Sequence, residues 1–311
     1  MVSTGLETAI GALQLKNPVM PASGTYDWFG RDPAQVSAGQ LGAVVTKSVT
    51  LEPQKGAPPT RVAETPMGML NAIGIPSAGL DTFLNDVLPK YRELATAVIV
   101  SVQAYSPDEC ETMVARLGEE PRVDALELNL SCPNLNHGTI TAQSPELSAE
   151  MVAAARRATE LPIIAKLSPN VTSIVEIARA VEESEADALC LINTLKGMAI
   201  NVETRQALLG NLSGGLSGPA IKPVALYMVW ECYEAVDIPI IGAGGISTAQ
   251  DAFEFLLAGA QAIQVGTAMF REPRALEQVV AGLQDYLVAE RIESVSELVG
   301  WCHGERNVVG S

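Results

Sequence analysis

Eight short apolar runs separated by amphipathic stretches restrict the fold of this chain more than any other feature. Each run is rich in β-branched or other apolar side chains and is bounded by glycine, proline or polar residues. The runs are Pro18–Ala22, Gly42–Lys47, Ala97–Val102, Ala125–Leu130, Ile163–Leu167, Ala186–Ile192, Ile238–Gly242 and Ala262–Gly266. Helical periodicity lies between them, in Ser148–Thr159, Ile174–Glu183, Ile221–Tyr233, Ala249–Ala258 and Arg274–Glu290. This alternation is typical of a parallel α/β fold.

Eight strand and helix units on 311 residues favour a (β/α)8 TIM barrel over a doubly wound sheet. We expect one domain over residues 1–311. The segments Ser48–Thr96 and Ile192–Asp237 are longer than a loop plus a helix, which predicts insertions at the C-terminal face. Leu6–Leu15 is expected to form a hairpin that closes the bottom of the barrel.

The charge balance argues against nucleic acid and anionic membranes as partners. The chain carries 20 Lys and Arg against 36 Asp and Glu, a formal net charge of −16, which repels nucleic acid and anionic lipid. No signal-like N-terminus or membrane-spanning apolar run is present, so we expect a cytoplasmic location. Five scattered cysteines and two histidines predict neither a disulfide framework nor a metal site.

A mostly polar set of residues follows the predicted strands, where a TIM barrel places its functional groups. They are Ala22 and Ser23, Lys47 and Ser48, Ser101, Asn129, Lys166, Asn193 and Thr194. Gly244 and Gly245 follow strand seven, and Gly266 and Thr267 follow strand eight. Backbone N–H groups there, together with the start of the helix after Thr248, predict a phosphate cradle. The alternative is that these glycines only make tight turns.

Two lysines are expected to point into the barrel mouth. An ammonium group is costly there unless it meets an anion or an electron-rich ligand, so Lys47 and Lys166 are candidate ligand-binding residues. A Schiff-base lysine is the alternative. Asn71, Asn129 and Asn193 offer neutral amide groups, which suit a ligand that carries amides of its own.

Cys132 is the candidate catalytic base, because it lies in a loop after a strand and a thiol needs only modest acidification to act near neutrality. The other four cysteines lie in apolar contexts and are expected to be buried and inert. His137, in the same loop as Cys132, is either a proton relay or an exposed loop histidine.

Several motifs in register resemble those of the class 1 dihydroorotate dehydrogenases over nearly the whole chain. They include Asn17–Gly24, Met69–Gly74, Glu127–Asn134, Lys166–Asn170, Ile192–Thr194, Gly214–Pro219, Gly242–Gly245 and Val265–Thr267. The resemblance implies one FMN per chain, held by Ala22, Ser23, Lys47, Ser48, Ser101, Asn129, Lys166, Ile192, Gly218, Gly244, Gly245, Gly266 and Thr267. It implies dihydroorotate binding by Lys47, Asn71, Ala72, Ile73, Gly74, Ile75, Asn129, Asn193 and Thr194.

By the same resemblance, Cys132 removes the C5 proton of dihydroorotate while the C6 hydride passes to flavin N5, giving orotate for pyrimidine (UMP) biosynthesis. Lys166 then stabilises the reduced flavin, which replaces the Schiff-base interpretation. The segments Thr50–Pro53, Arg61–Thr65 and Leu212–Gly215 favour class 1B, whose catalytic homodimer joins a subunit carrying FAD and a [2Fe-2S] cluster in a heterotetramer and passes electrons to NAD. This chain has no cysteine cluster for such a centre.

Some positions depart from the class 1B pattern. Ser101 stands where class 1B has an asparagine and is closer to class 1A, Ile75–Gly79 differs from the usual turn, and the loop from His137 to Gln143 is shorter. A fumarate-using class 1A enzyme, a related dihydropyrimidine oxidoreductase and a barrel that has lost catalysis are therefore the alternatives.

Overall fold

The computed structural model describes residues 5–26, 38–91, 93–131 and 141–304. The strands are β1 (Thr8–Ile10), β2 (Leu13–Leu15), β3 (Val19–Pro21), β4 (Ala43–Val45), β5 (Val62–Thr65), β6 (Gly68–Asn71), β7 (Ala97–Val102), β8 (Ala125–Asn129), β9 (Ile163–Lys166), β10 (Ala188–Leu191), β11 (Leu195–Gly197), β12 (Ile200–Asn201), β13 (Gln206–Ala207), β14 (Gly214–Ser217), β15 (Ile240–Ala243) and β16 (Ala260–Val265).

The helices are α1 (Leu80–Thr82), α2 (Pro107–Gly118), α3 (Pro145–Ala158), α4 (Ile174–Glu183), α5 (Lys222–Tyr233), α6 (Ala249–Leu257), α7 (Ala268–Arg271) and α8 (Ala275–Glu290). The short α1 continues as a π turn over Phe83–Val87 and a 3₁₀ turn over Leu88–Tyr91. Ser106, Ser144, Ser173 and Thr248 cap α2, α3, α4 and α6 by accepting a backbone N–H of the first turn.

Eight strands form one parallel sheet in the order β3, β16, β15, β10, β9, β8, β7, β4. Its two ends meet, because the Gly42 N–H donates to the Val19 carbonyl at 2.9 Å. The predicted TIM barrel and its eight strands are confirmed, with each strand end within two residues of the prediction.

Two apolar clusters hold the barrel together. The larger one lies between the strands and the surrounding helices. The smaller one fills the interior with side chains from all eight strands, such as Ala43 and Val45 of β4, which lie two residues apart, and it includes Ile10, Leu13 and Leu15. The antiparallel β1 and β2 therefore form the predicted hairpin and pack against the interior of the barrel.

The two long insertions pair with each other. β5 and β6 come from the first and β11 and β14 from the second, and they form an antiparallel sheet in the order β11, β14, β6, β5. In the central pairing, Asn71 lies opposite Gly215 and Leu70 opposite Leu216. Because β11 follows β10 after only three residues, this sheet is tied to the carboxyl end of the barrel, as the insertion lengths predicted.

Candidate functional site

A hydrogen-bonded network of three side chains crosses the barrel interior below its mouth. The Lys166 ammonium of β9 donates to Gln264 Oε1 of β16 at 2.8 Å and to Glu127 Oε1 of β8 at 3.3 Å. Gln264 Nε2 in turn donates to Glu127 Oε2 at 2.5 Å. Glu127 is 0% exposed and Lys166 7%. A buried pair of this kind is stable only when its polar atoms are satisfied, and here each partner contacts the other two.

The pKa values of the two lysines at the mouth shift in opposite directions. Burial opposes the charge on Lys166, but the Glu127 carboxylate more than compensates and raises the pKa of Lys166 above its usual value. For Lys47, burial and then the positive charge of Lys166 lower the pKa to about 8. Lys166 is thus held as a cation, whereas Lys47 changes charge within the pH range in which enzymes work.

Hydroxyl groups line one side of the mouth. Ser23 Oγ donates to the Thr46 carbonyl at 3.0 Å and lies 3.3 Å from Ser48 Oγ, which lies 3.0 Å from Ser101 Oγ. Ser101 is fully buried. The predicted residues Ser23, Ser48 and Ser101 therefore form one chain of hydroxyls that joins β3, β4 and β7.

Amide side chains form a second cluster. Asn193 Nδ2 donates to Asn129 Oδ1 at 3.2 Å, and the Thr194 N–H donates to Asn193 Oδ1 at 2.8 Å. Asn71 Nδ2 donates to the Gly215 carbonyl at 3.3 Å. A Cβ on Gly215 would lie 2.0 Å from Thr194 Oγ1, so Thr194 packs directly against this glycine. Four predicted substrate-binding residues are thus in one cluster, although Asn71 lies far from the others in sequence.

The predicted residues after Asn71 have a different environment. The Ala72 N–H donates to the Arg61 carbonyl at 2.7 Å, and the Ile73 carbonyl accepts the Ala57 N–H at 3.0 Å. Gly74 has φ +73° and Ile75 has φ +49°. A Cβ on Gly74 would lie 2.3 Å from the Ala57 nitrogen, so only glycine fits there. These backbone groups bind the neighbouring segment of the first insertion.

The glycines predicted to cradle a phosphate lie together. Gly218, Gly244 and Gly245 have φ of +98°, +125° and +79°, and a Cβ on Gly245 would lie 2.9 Å from the Gly218 carbonyl oxygen. A Cβ on Gly218 would lie 3.5 Å from Thr267 Cγ2. In the described ranges, the N–H groups of Gly244, Gly245 and Thr267 donate no loop hydrogen bond to a backbone carbonyl.

The other predicted contact residues of the flavin border these elements. The Ala22 N–H donates to the Val265 carbonyl at 2.8 Å, and a Cβ on Gly266 would lie 3.3 Å from Ala22 Cβ. The Ile192 N–H donates to the Ala243 carbonyl at 2.8 Å, and a Cβ on Gly244 would lie 3.4 Å from Ile192 Cγ1. Ala22 and Ile192 therefore belong to the two strand ends that carry the glycines.

A carboxylate lies at the helix start that was predicted to take part in the cradle. Asp251 Oδ2 accepts the N–H groups of Ser247 and Thr248, each at 2.9 Å. Thr248 and Asp251 form a capping box, so these two N–H groups are occupied and a negative charge lies beside them. The contribution of this helix start to anion binding stays a prediction.

One cysteine lies in a different environment from the predicted one, and two residues of the buried network were not predicted. Cys302 was expected to be buried, but it is exposed on a short 3₁₀ turn near the end of the described chain, whereas Cys110, Cys190 and Cys232 are buried as expected. Glu127 and Gln264 were not singled out as site residues. Each is a polar side chain inside an otherwise apolar strand, and a buried polar group needs a hydrogen-bonding partner. This pattern could have identified them.

Cys132 and His137 lie outside the described residues. Across the segments that the structure covers, no group of three or more His, Cys, Asp or Glu side chains is arranged to hold a metal ion. Among the same segments, no helix combines the length and apolar character required to cross a membrane.

Comparisons with known proteins agree with this architecture. A structure search matches DHODH from Eimeria tenella, crystallised in complex with ferulenol, with a TM-score of 0.80 and 25% identity over 97% of this chain and 89% of that one. The catalytic subunit of dihydroorotate dehydrogenase B (NAD(+)) from Trichlorobacter lovleyi is 48% identical over 300 residues, which are 96% of this chain and 99% of the relative.

The protein of the same name from Desulforudis audaxviator is 49% identical over 297 residues, 95% of this chain and 96% of the relative. The family model described as dihydroorotate dehydrogenase matches residues 5–287. That match spans both insertions and all eight strands of the barrel. This chain therefore belongs to the dihydroorotate dehydrogenase family, a family of oxidoreductases.

Proposed function

We propose that this chain binds FMN and oxidises (S)-dihydroorotate to orotate, a step of pyrimidine (UMP) biosynthesis. The observation that carries the proposal is the composition of the mouth. A cation anchored by Glu127 and Gln264 lies at the carboxyl end of the same barrel as the cluster of Asn71, Asn129, Asn193 and Thr194. Relatives named for this reaction are up to 49% identical over nearly their whole length.

The residues fit FMN. Gly218, Gly244 and Gly245 have a backbone conformation that L side chains rarely adopt, and their amides suit a phosphate group. Gly266 makes a separate argument, since its φ is ordinary and a Cβ there would meet only Ala22 and Thr25, at 3.3 Å and beyond. A Cβ here would need Ala22 to shift by only a few tenths of an ångström, so close approach of a phosphate to the backbone is the stronger reason for glycine at this position.

Further FMN contacts are proposed around the ring system. Ala22, Ser23, Ser48, Asn129 and Ile192 would line the flavin, with Ser101 as the buried end of the hydroxyl chain. Lys47 borders the same space, since the positive charge of Lys166 acts on it. Lys166 would donate to the flavin and stabilise the negative charge that reduction brings. When bound, FMN supplies the acceptor for the C6 hydride.

Dihydroorotate offers a carboxylate and ring amides, and the chain offers groups that match both. Lys47 would pair with the carboxylate, while Asn71, Asn129, Asn193 and Thr194 would donate to and accept from the ring amides. The backbone of residues 72–75 would border this site through Asn71. Cys132 would take the C5 proton as the general base, and its place directly after Ser131 puts it next to the Asn129 end of the cluster in sequence.

We also propose the class 1B arrangement, in which a catalytic homodimer joins an electron-transfer subunit that carries FAD and a [2Fe-2S] cluster, forms a heterotetramer and reduces NAD. The support is that the curated relatives are named NAD(+) enzymes and catalytic subunits. One domain over residues 1–311 and a cytoplasmic location complete the proposal. Copurification of an iron-containing subunit would support this arrangement, whereas fumarate reduction by the chain alone would favour class 1A.

The direct test is anaerobic. The purified chain is expected to be yellow, and dihydroorotate should bleach the flavin band near ~450 nm while orotate forms. Cys132→Ser should slow this bleaching by about 10²-fold or more. Cys302→Ser is the matched control, because Cys302 is exposed on a turn outside the barrel and its replacement should leave the rate unchanged. A chain that stays colourless after incubation with FMN would refute the proposal.

A further inference from the structure

The network of Glu127, Gln264 and Lys166 has one consistent assignment of donors and acceptors. If the Gln264 amide were turned around, its NH2 group would face the Lys166 ammonium and its oxygen would face the Glu127 carboxylate. Both contacts would then be repulsive. The observed orientation therefore requires a carboxylate on one side of Gln264 and an ammonium on the other.

Two of the three residues come from adjacent strands and the third comes from another part of the barrel wall. β8 and β9 are neighbours, whereas β10 and β15 separate β9 from β16. The Lys166 side chain thus reaches across the interior instead of extending towards the mouth alone. Two of its three N–H donors are satisfied by Glu127 and Gln264, which leaves one donor for a ligand.

The remaining groups that face Lys166 support its charge less than Glu127 does. Lys47, after β4, repels it electrostatically. Cys190 of β10 lies opposite Lys166 in the strand register and ranks behind Glu127 in raising the pKa of Lys166, while burial raises the pKa of its own thiol and so favours the neutral form. Gln264 is uncharged. Among the described residues, Glu127 is the one carboxylate hydrogen-bonded to Lys166.

We propose that Glu127 and Gln264 are positioning residues that keep Lys166 an ammonium ion and fix two of its three donors, so that one N–H is presented to the flavin. This inference rests on the proposed FMN site. A buried ion pair is poor evidence for stability, because well-packed apolar residues serve a barrel interior at least as well. Its value here lies in a cation that stays charged whether or not a ligand is bound.

The first test needs no flavin. Lysine side-chain ¹⁵N signals are followed against pH, with the Lys166 signal assigned by its loss in Lys166→Met. In the parent, Lys166 should remain an ammonium up to at least about pH 10. In Glu127→Gln, its titration should move down by at least about one pH unit, because burial then acts without the carboxylate.

The double variant Glu127→Gln with Gln264→Glu is the matched control. It moves the carboxylate from β8 to β16 while keeping the number of side-chain atoms, and Gln264 Oε1 already lies 2.8 Å from the ammonium. We expect the parent titration to return. If Glu127→Gln does not fold, the parent and the double variant decide the question. A Lys166 that titrates near pH 8 in the parent, or an unchanged titration in folded Glu127→Gln, would overturn the proposal.

The second readout concerns the flavin and a property that a purely structural role would not change. Reduction of bound FMN in the parent should take up about one proton per two electrons between pH 7 and 9, seen as about 30 mV per pH unit in the midpoint potential. At pH values above the Lys166 titration measured in Glu127→Gln, this variant should take up about two protons per two electrons, since neutral Lys166 then acquires a proton as negative charge arrives. The double variant should return to about one proton per two electrons over the same pH range.

The two readouts separate the two proposals. A protein that binds no FMN but shows the expected Lys166 titrations would refute the proposed function together with the flavin role of Lys166, while leaving its charge assigned to Glu127. A yellow Glu127→Gln protein that keeps the parent proton count at pH values above its own Lys166 titration would keep the proposed function and overturn this inference.

Discussion

Replacing Lys47 by methionine should stabilise the protein at neutral pH, although Lys47 is proposed to bind substrate. Methionine keeps the length of the lysine stem without its charge. In the folded chain, burial and the charge of Lys166 lower the pKa of Lys47 from 10.5 to about 8. The folded state therefore disfavours the ammonium form, which the unfolded chain carries freely.

The sign and size of the effect follow from proton linkage. Between about pH 8 and 10.5 the unfolded chain binds more protons at Lys47 than the folded one, so this group adds stability as the pH rises. The lowered pKa corresponds to about 3 kcal/mol, which is lost at pH 7 and recovered when both states are neutral. Lys47→Met removes this dependence.

Urea unfolding of the substrate-free parent and Lys47→Met between pH 7 and 10 gives the measurement. The advantage of the variant should shrink by about 2 to 3 kcal/mol over this range. Because other titrating groups are common to both proteins, they cancel in the difference, and so does any packing change that is independent of pH. A difference that stays constant with pH would refute the assigned charge of Lys47.

Three further predictions concern the same mouth. The kcat/KM for dihydroorotate should fall about tenfold per pH unit above about pH 8 as Lys47 loses its proton, and Lys47→Met should lack this alkaline limb in a pH profile. Gly244→Ala should destabilise the fold by about 1–3 kcal/mol, because φ is +125°, whereas Gly266→Ala should fold but retain less FMN, as measured by thermal unfolding and flavin content. Gly215→Ala should push Thr194 away and raise KM with unchanged flavin content, and an unaltered KM would contradict the role of Thr194.

The barrel was predictable because its strands are local signals. A strand that is buried on both faces must be an apolar run, and each run in this sequence is bounded by residues that end strands. The predicted carboxyl ends of the strands were less certain where polar residues follow the apolar run. Lys47 was expected to end its strand, but the ladder of β4 stops at Val45, two residues before the lysine.

The antiparallel sheet over the mouth could be expected only as an insertion. Its central pair joins Asn71 to Gly215, which are separated by well over a hundred residues, and no local pattern specifies such a partner. The strand Gly214–Ser217 reads Gly-Gly-Leu-Ser, which has neither alternation nor β-branched residues. Its place is fixed by Thr194, which leaves no room for a side chain at Gly215.

The network of Glu127, Gln264 and Lys166 could be predicted only in part from the sequence. Side chains two residues apart share one face of a strand, so assigning Asn129 and Gly266 to the mouth also places Glu127 and Gln264 inside the barrel. That step was available from the sequence. Their meeting with Lys166 was not, because it depends on how far the strands are staggered around the closed barrel. The charge state of the candidate flavin-binding lysine is therefore set by tertiary geometry, through a carboxylate that the motif alone does not connect to it.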